Sequence, residues 1–288
     1  MTQIAERIPV PALNPGRGGK MYLLALAFLL PALALQLWLP VRAAAAVAQE
    51  TLLEDVNCRL KAWGGGAAQT GMTLKSLTPG RYQANLKLEY QGLFGLVTGQ
   101  RQDRFHTEMI YRNGRLAPLV YREETRWRNK YRLKEYRFDY DKGRLELWTY
   151  HKGKGMLPKW QTDLHGKSIF DPLSAFYNFR LGGLGPRQEG ETIKVAGIPY
   201  PHPEEIVIQV GPKTQEGRKV MISFVNQAYK DKQGEICVFF DEKWSPVHAW
   251  TKVLSFGKVV GEILPGGKSL SGGLQEMADT AETKAPKN

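Results

Sequence analysis

Asp171–Gly183, DPLSAFYNFRLGG, is the segment from which the arrangement of the whole chain can be read. Asp171 is a good helix N-cap, and Pro172 suits the first helical position, where its missing N–H is no loss. Leu173, Phe176, Tyr177 and Leu181 recur at helical spacing, while Ala175 and Phe179 make the other side apolar too. Gly182 and Gly183 stop the helix. A short helix that is apolar nearly all round belongs inside a fold. The flanks on both sides alternate like β-strands. The expected fold is therefore mainly β: a strongly curved antiparallel sheet, an open or half barrel, around one short central helix.

Upstream, Arg81–Tyr90 places Tyr82, Ala84, Leu86, Leu88 and Tyr90 on one face. His106–Tyr111 and Leu116–Tyr121 flank Asn113-Gly114, a strong hairpin signal. Tyr131–Tyr140 and Arg144–Tyr150 pair across Asp141-Lys142-Gly143, and a slip of apolar phase between Leu133 and Tyr136 predicts a bulge. Downstream, the prolines of Gly197–Pro203 make a stiff extended segment. Further strands are expected at Glu205–Val210, Lys219–Val225, Ile236–Phe240, Val247–Leu254 and Lys258–Leu264. Thr51–Trp63 spaces Leu52, Leu53, Val56, Leu60 and Trp63 like an amphipathic N-terminal helix, followed by a link at Gly64-Gly65-Gly66.

The chain has 288 residues and a formal net charge of +12, which points to an anionic partner. Arg7, Arg17 and Lys20 precede an apolar run, Met21–Leu39, that ends in Ala43–Ala48. This order is that of a secretory signal peptide cleaved after Ala48; the run is also long enough to serve as an uncleaved anchor. Either way the protein is expected to be exported, periplasmic or outer-membrane-associated, with inner-membrane anchoring as the alternative. The domain plan is signal or anchor over 1–48, helix and link over 49–71, one β-rich domain over 72–264 and a disordered tail over 265–288. Outside the cytoplasm Cys58 and Cys237 can form a disulfide, which would close a loop worth about 5 kcal/mol, or remain two buried thiols.

Catalytic motifs are sparse. His106, His151, His165, His202 and His248 lack metal-ligand spacing, Gly166-Lys167-Ser168 and Gly267-Lys268-Ser269 lack the first glycine of a phosphate loop, and no serine stands in a nucleophile elbow. The carboxylates Glu135, Asp139, Asp141 and Glu146 each have a basic neighbour, so cross-strand pairing accounts for them better than acid–base chemistry. No cofactor is expected. Arg122–Arg137, REETRWRNKYRLKEYR, mixes seven Arg and Lys residues with aromatic ones. Run as one extended strand, it turns Arg126, Arg128, Lys130, Arg132 and Lys134 to one side, either a candidate anion-binding face or a solvated outer strand face whose charge guards against edge-to-edge aggregation. Nucleic acid is excluded by compartment, leaving lipid, lipopolysaccharide or acidic glycan; protein partners in the envelope are not indicated.

Four segments together, YRLKEYRFDYDKGRLEL (131–147), DPLSAFYNFRLG (171–182), IPYPHPEEI (198–206) and GRKVMI (217–222), resemble the bacterial exported proteins grouped as domain of unknown function 3108. The resemblance spans roughly Tyr82–Leu264. It implies an envelope protein of Gram-negative bacteria with a largely β fold, and brings no catalytic residues. The architecture is also similar to the half-barrels of lipoprotein carriers, without their motifs. Two functions follow as expectations. The first is a binding or carrier protein for an amphiphilic or anionic envelope component, with Asp171, Leu173, Phe176, Tyr177 and Phe179 on a pocket or core helix. The second is a non-catalytic structural or assembly factor docking on an anionic surface; an envelope hydrolase is the outsider.

Overall fold

The computed structural model describes residues 50–63, 65–164, 166–198, 203–225, 233–253 and 257–270. The apolar run Met21–Leu39, the cleavage site after Ala48, the prolines Pro199 and Pro201 and the tail beyond residue 270 lie outside them.

Eight strands follow one another first: β1 (Thr51–Ala62), β2 (Gly65–Thr78), β3 (Arg81–Tyr90), β4 (Gln102–Arg112), β5 (Arg115–Trp127), β6 (Lys130–Asp139), β7 (Arg144–His151) and β8 (Gly155–Asp163). A short helix, α1 (Gly92–Thr98), interrupts the turn between β3 and β4. Then come β9 (Ile169–Phe170), the helix α2 (Pro172–Leu181), β10 (Thr192–Gly197), β11 (Glu204–Thr214), β12 (Gly217–Val225), β13 (Gln233–Phe240), β14 (Pro246–Val253) and β15 (Gly257–Ile263). All fifteen strands share one sheet, in the order β8-β7-β6-β5-β4-β3-β2-β1-β15-β14-β13-β12-β11-β10-β9. Each neighbouring pair is antiparallel except β9 and β10, which are parallel. A parallel pair needs a crossover connection. Here α2 is that crossover: the chain passes from β8 at one end of the sheet to β9 at the other, and α2 then links β9 to its parallel neighbour β10.

The core explains why this segment governs the fold. Leu173, Tyr177 and Leu181 of α2 pack with Leu74, Tyr82, Ala84, Met109 and Leu116 from β2–β5. Phe179 packs with Ile193, Ile208, Val220 and Phe240 from the second half, and Phe176 touches both groups. The helix is thus a wedge between two halves of one curved sheet. A third cluster joins Tyr121, Tyr136 and Leu147 to Ile169 and Ile198, so the sheet curls until its two ends meet across apolar contacts.

Several expectations need correction. Thr51–Ala62 is a strand, not a helix, and Gly65–Thr78 is its partner strand instead of a loose link. The sheet therefore begins at Thr51 and not at Met72. Its register shifts between Leu52 and Glu54 and between Leu60 and Lys61 break the two-residue period, which left apolar residues at helix-like spacing. The tail packs at its start: Lys268 bridges to Asp55, and Leu270 is buried against α2 and β2–β5. No bulge occurs between Leu133 and Tyr136; β6 keeps a regular register there, and the phase slip reflects the burial of Glu135.

The two cysteines are free thiols. Cys58 lies on β1 and Cys237 on β13, with β15 and β14 between them. Three strand spacings of about 4.8 Å are far beyond disulfide reach. Burial, helped by the Glu54 carboxylate, pushes the Cys58 thiol up to about 11, and burial raises Cys237 as well.

Candidate functional site

The helix α2 carries polar residues among its apolar ones, and each has a defined partner. The Asp171 carboxylate accepts from the backbone N–H groups of Leu173 (2.9 Å) and Ser174 (3.0 Å), while Ser174 Oγ accepts from the Asp171 N–H, completing a capping box. The Thr107 hydroxyl of β4 also donates to Asp171 (2.9 Å), fastening the helix start to the sheet. Burial pushes the Asp171 carboxyl above its ordinary range, against the opposing pull of these hydrogen bonds.

One turn later, Asn178 acts as a substitute strand. Its carboxamide accepts from the Leu116 N–H (2.8 Å) and donates to the Leu116 carbonyl (2.7 Å). The register of β5 with β6 begins only at Val120, so Leu116 lies beyond that ladder and the side chain supplies what a neighbour would. The Tyr140 hydroxyl does the same for the Pro118 carbonyl (2.9 Å). Arg180 then reaches Glu54 of β1 at 2.7 Å, with both side chains essentially fully buried, and donates to the Trp244 carbonyl (2.8 Å). Gly182 closes the helix at φ 83, in the left-handed region that glycine adopts freely.

The aromatic face is filled. Phe176 lies 6.3 Å from the Phe240 ring and 5.5 Å from Tyr177, and Phe179 lies 5.7 Å from Phe240 and 5.5 Å from Trp244. Asp171, Leu173, Tyr177 and Phe179 are buried, and Phe176 is partly so. These five residues belong to a packed wedge with a polar clamp.

The basic aromatic stretch is a hairpin and not one extended strand. β5 ends at Trp127 and β6 begins at Lys130, with Arg128 at φ 48 in the turn. The pairing sets Arg126 beside Tyr131, whereas Lys130, Arg132 and Lys134 share the other face with Trp127, Thr125 and Glu123. Arg126 is paired with Glu124, and Lys134 with Glu123. Arg128, Lys130 and Arg132 have no carboxylate partner among the described residues. The four carboxylates of the neighbouring hairpin are also accounted for. Burial notwithstanding, Arg122 and Arg137 (each 2.6 Å) hold Glu135 below the ordinary glutamate range. Asp139 bonds Lys142, Glu146 bonds Arg144, and Asp141 is exposed. No group of three or more His, Cys, Asp or Glu able to hold a metal occurs among the described residues.

The rim bearing that hairpin turn carries a feature with no counterpart in the expectations. The connections β1–β2, β3–β4, β5–β6 and β7–β8 all lie at this end of the sheet. Phe94 of α1 points inward against Ala62 and Ala67, but Leu93, Leu96 and Val97 are 78%, 63% and 77% exposed. Trp63, 73% exposed, lies 4.8 Å from the Phe94 ring. A surface helix normally turns its apolar stripe inward; here most of it faces solvent. Cations stand along the same rim. The Arg128 N–H donates to the Gly99 carbonyl (3.1 Å), and its side chain lies so close to Gly99 that a Cβ there would sit 2.7 Å away. Lys130 lies over the Trp127 ring, and Lys152 and Lys154 occupy the β7–β8 turn. Tyr131 and Tyr150, partly exposed, meet edge to face at 5.3 Å on this rim. A run GLFGLVT without alternation, bounded by Gln91 and Gly99, was the available sequence signal for α1.

This architecture, one curved and barrel-like antiparallel sheet held by a single crossover helix, defines the class of protein. The chain belongs to the family described as protein of unknown function DUF3108, whose model matches residues 62–214. The match includes α2 and ends before GRKVMI, so β12–β15 lie beyond it. No curated protein matches the chain. Among solved structures it is similar to the β-barrel-like protein of domain of unknown function DUF1849 from Brucella abortus, at 10% identity and a TM-score of 0.46, covering 76% of this chain and 98% of the other.

Proposed function

We propose that this protein is a non-catalytic docking factor of the cell envelope, exported across the inner membrane, that seats the α1 rim on an anionic lipid layer. The observation that carries the reading is the conjunction of exposed Trp63, Leu93, Leu96 and Val97 with Arg128, Lys130, Arg132, Lys152 and Lys154 on one rim. Apolar side chains enter the acyl boundary while cations meet the headgroups. Each side chain that becomes fully buried contributes about 1.5–3 kcal/mol. Each nearby Lys or Arg adds about 1 kcal/mol on an anionic surface and less at high salt. The carrier reading is less well supported, because the face of α2 that would have to stand open is occupied by Phe240, Trp244 and Tyr177.

The test is co-sedimentation of the chain from Gln49 onward, which contains every described strand, with phosphatidylglycerol and phosphatidylcholine vesicles. Binding to the anionic vesicles is expected, weakened by salt. Leu93→Asp with Val97→Asp should lower affinity at least about 100-fold, the equivalent of some 3 kcal/mol. Equal binding by wild type and variant would overturn the reading.

A further inference from the structure

We propose that the cleft at the opposite rim binds a phosphate group, either the free ion or a small monoester. It lies between the β4–β5 turn, the β6–β7 turn and the connection from β8 to β9, with a volume of about 260 Å³. Arg112, Arg115 and Lys167 line it together with Asn113 and Ser168, and no acidic side chain does. No described carboxylate pairs with any of the three cations.

The placement of the two arginines carries the argument. Arg112 and Arg115 are direct cross-strand partners across the Asn113-Gly114 turn, so both side chains emerge on the same face. Like charges set opposite each other in a sheet are destabilising. An anion held between them converts that repulsion into two charge-assisted contacts. Both guanidinium groups are steadied without being neutralised. Arg112 lies 5.2 Å over the Tyr140 ring, and Arg115 donates to Ser168 Oγ at 3.2 Å. Tyr140 is itself fixed by its bond to Pro118. Two planar forks and one lysine match the several oxygens and double charge of a phosphate group better than a single carboxylate. The volume falls just below the roughly 300–1,000 Å³ of pockets for drug-sized ligands, which suits phosphate with at most a sugar-sized group and excludes an acyl chain. The site is independent of the docking rim, which lies at the other end of the strands.

The source is a free phosphate or a phosphorylated sugar, and the experiment separates them. Isothermal titration at fixed ionic strength uses inorganic phosphate, glucose 1-phosphate and glucose on the chain from Gln49, whose described strands and core are self-contained. Saturable binding of glucose 1-phosphate or inorganic phosphate, with none of glucose, is expected. Tighter binding of glucose 1-phosphate identifies a sugar-linked phosphate; binding of inorganic phosphate alone identifies the free ion. Arg115→Gln should weaken binding at least tenfold, and so should exposed Lys167→Gln, which leaves the sheet pairing untouched. Vesicle binding should be unchanged in both variants. Absence of binding by both phosphates, or equal binding by the Lys167→Gln variant, would overturn the proposal.

Discussion

Replacing Asn178 with leucine probes the clamp between helix and sheet. Leucine is close in size, but it can neither accept from the Leu116 N–H nor donate to the Leu116 carbonyl, now bonded at 2.8 and 2.7 Å. Leu116 is fully buried, so neither group can turn to water instead. A buried donor or acceptor left without a partner costs about 1–3 kcal/mol, so the two together cost about 2–6 kcal/mol. The bond from Asn178 to the Ser174 carbonyl is also lost, but that carbonyl keeps its place in the helix ladder. Since domains are commonly stable by only about 5–15 kcal/mol, the loss is a large fraction of the whole. Urea unfolding followed by tryptophan fluorescence should show a lowered midpoint with an unchanged slope. Hydrogen exchange should show the Leu116 amide losing protection. A variant within about 0.5 kcal/mol of wild type, well under the cost of one unmet group, would refute the idea that Asn178 stands in for a missing strand.

Two further outcomes follow from the buried charges. Arg180→Met leaves Glu54 buried without its partner and should cost about 3–5 kcal/mol in urea unfolding, whereas adding Glu54→Gln should recover much of it. For Glu135, whose folded pKa is depressed, the stabilisation is present above its ordinary value of 4.5 and lost as pH falls through the lower folded value. Glu135→Gln should therefore lose about 1 kcal/mol at neutral pH, solvent screening at the two arginines included, and the gap from wild type should close in acid.

Much of the architecture could be read locally. Asp171, Pro172 and Gly182 mark α2, and Asn113-Gly114 marks the β4–β5 hairpin, because capping and tight turns depend on neighbours in the chain. What escaped reading depends on distant residues or on turns without the usual punctuation. β1 looked helical because its register shifts disturb the alternation, and its partner β15 lies some two hundred residues away. Glu54 carries no sign of burial, since Arg180, which makes burial tolerable, is 126 positions distant. The break at Arg128-Asn129 contains neither glycine nor proline; Arg128 adopts the left-handed conformation against Gly99, and the supposed continuous basic strand becomes a hairpin. The exposure of Leu93, Leu96 and Val97 was equally hidden, because composition shows that a segment is apolar but not which side of it the sheet leaves uncovered.

The docking account is tested most directly at Trp63, the exposed ring beside α1. Vesicles of phosphatidylglycerol carrying brominated acyl chains quench a tryptophan that enters the acyl boundary. The account predicts quenching of the chain from Gln49 on anionic vesicles, reversed by high salt, with most of it abolished by Trp63→Phe. Undiminished quenching in Trp63→Phe, or none in wild type, would contradict it.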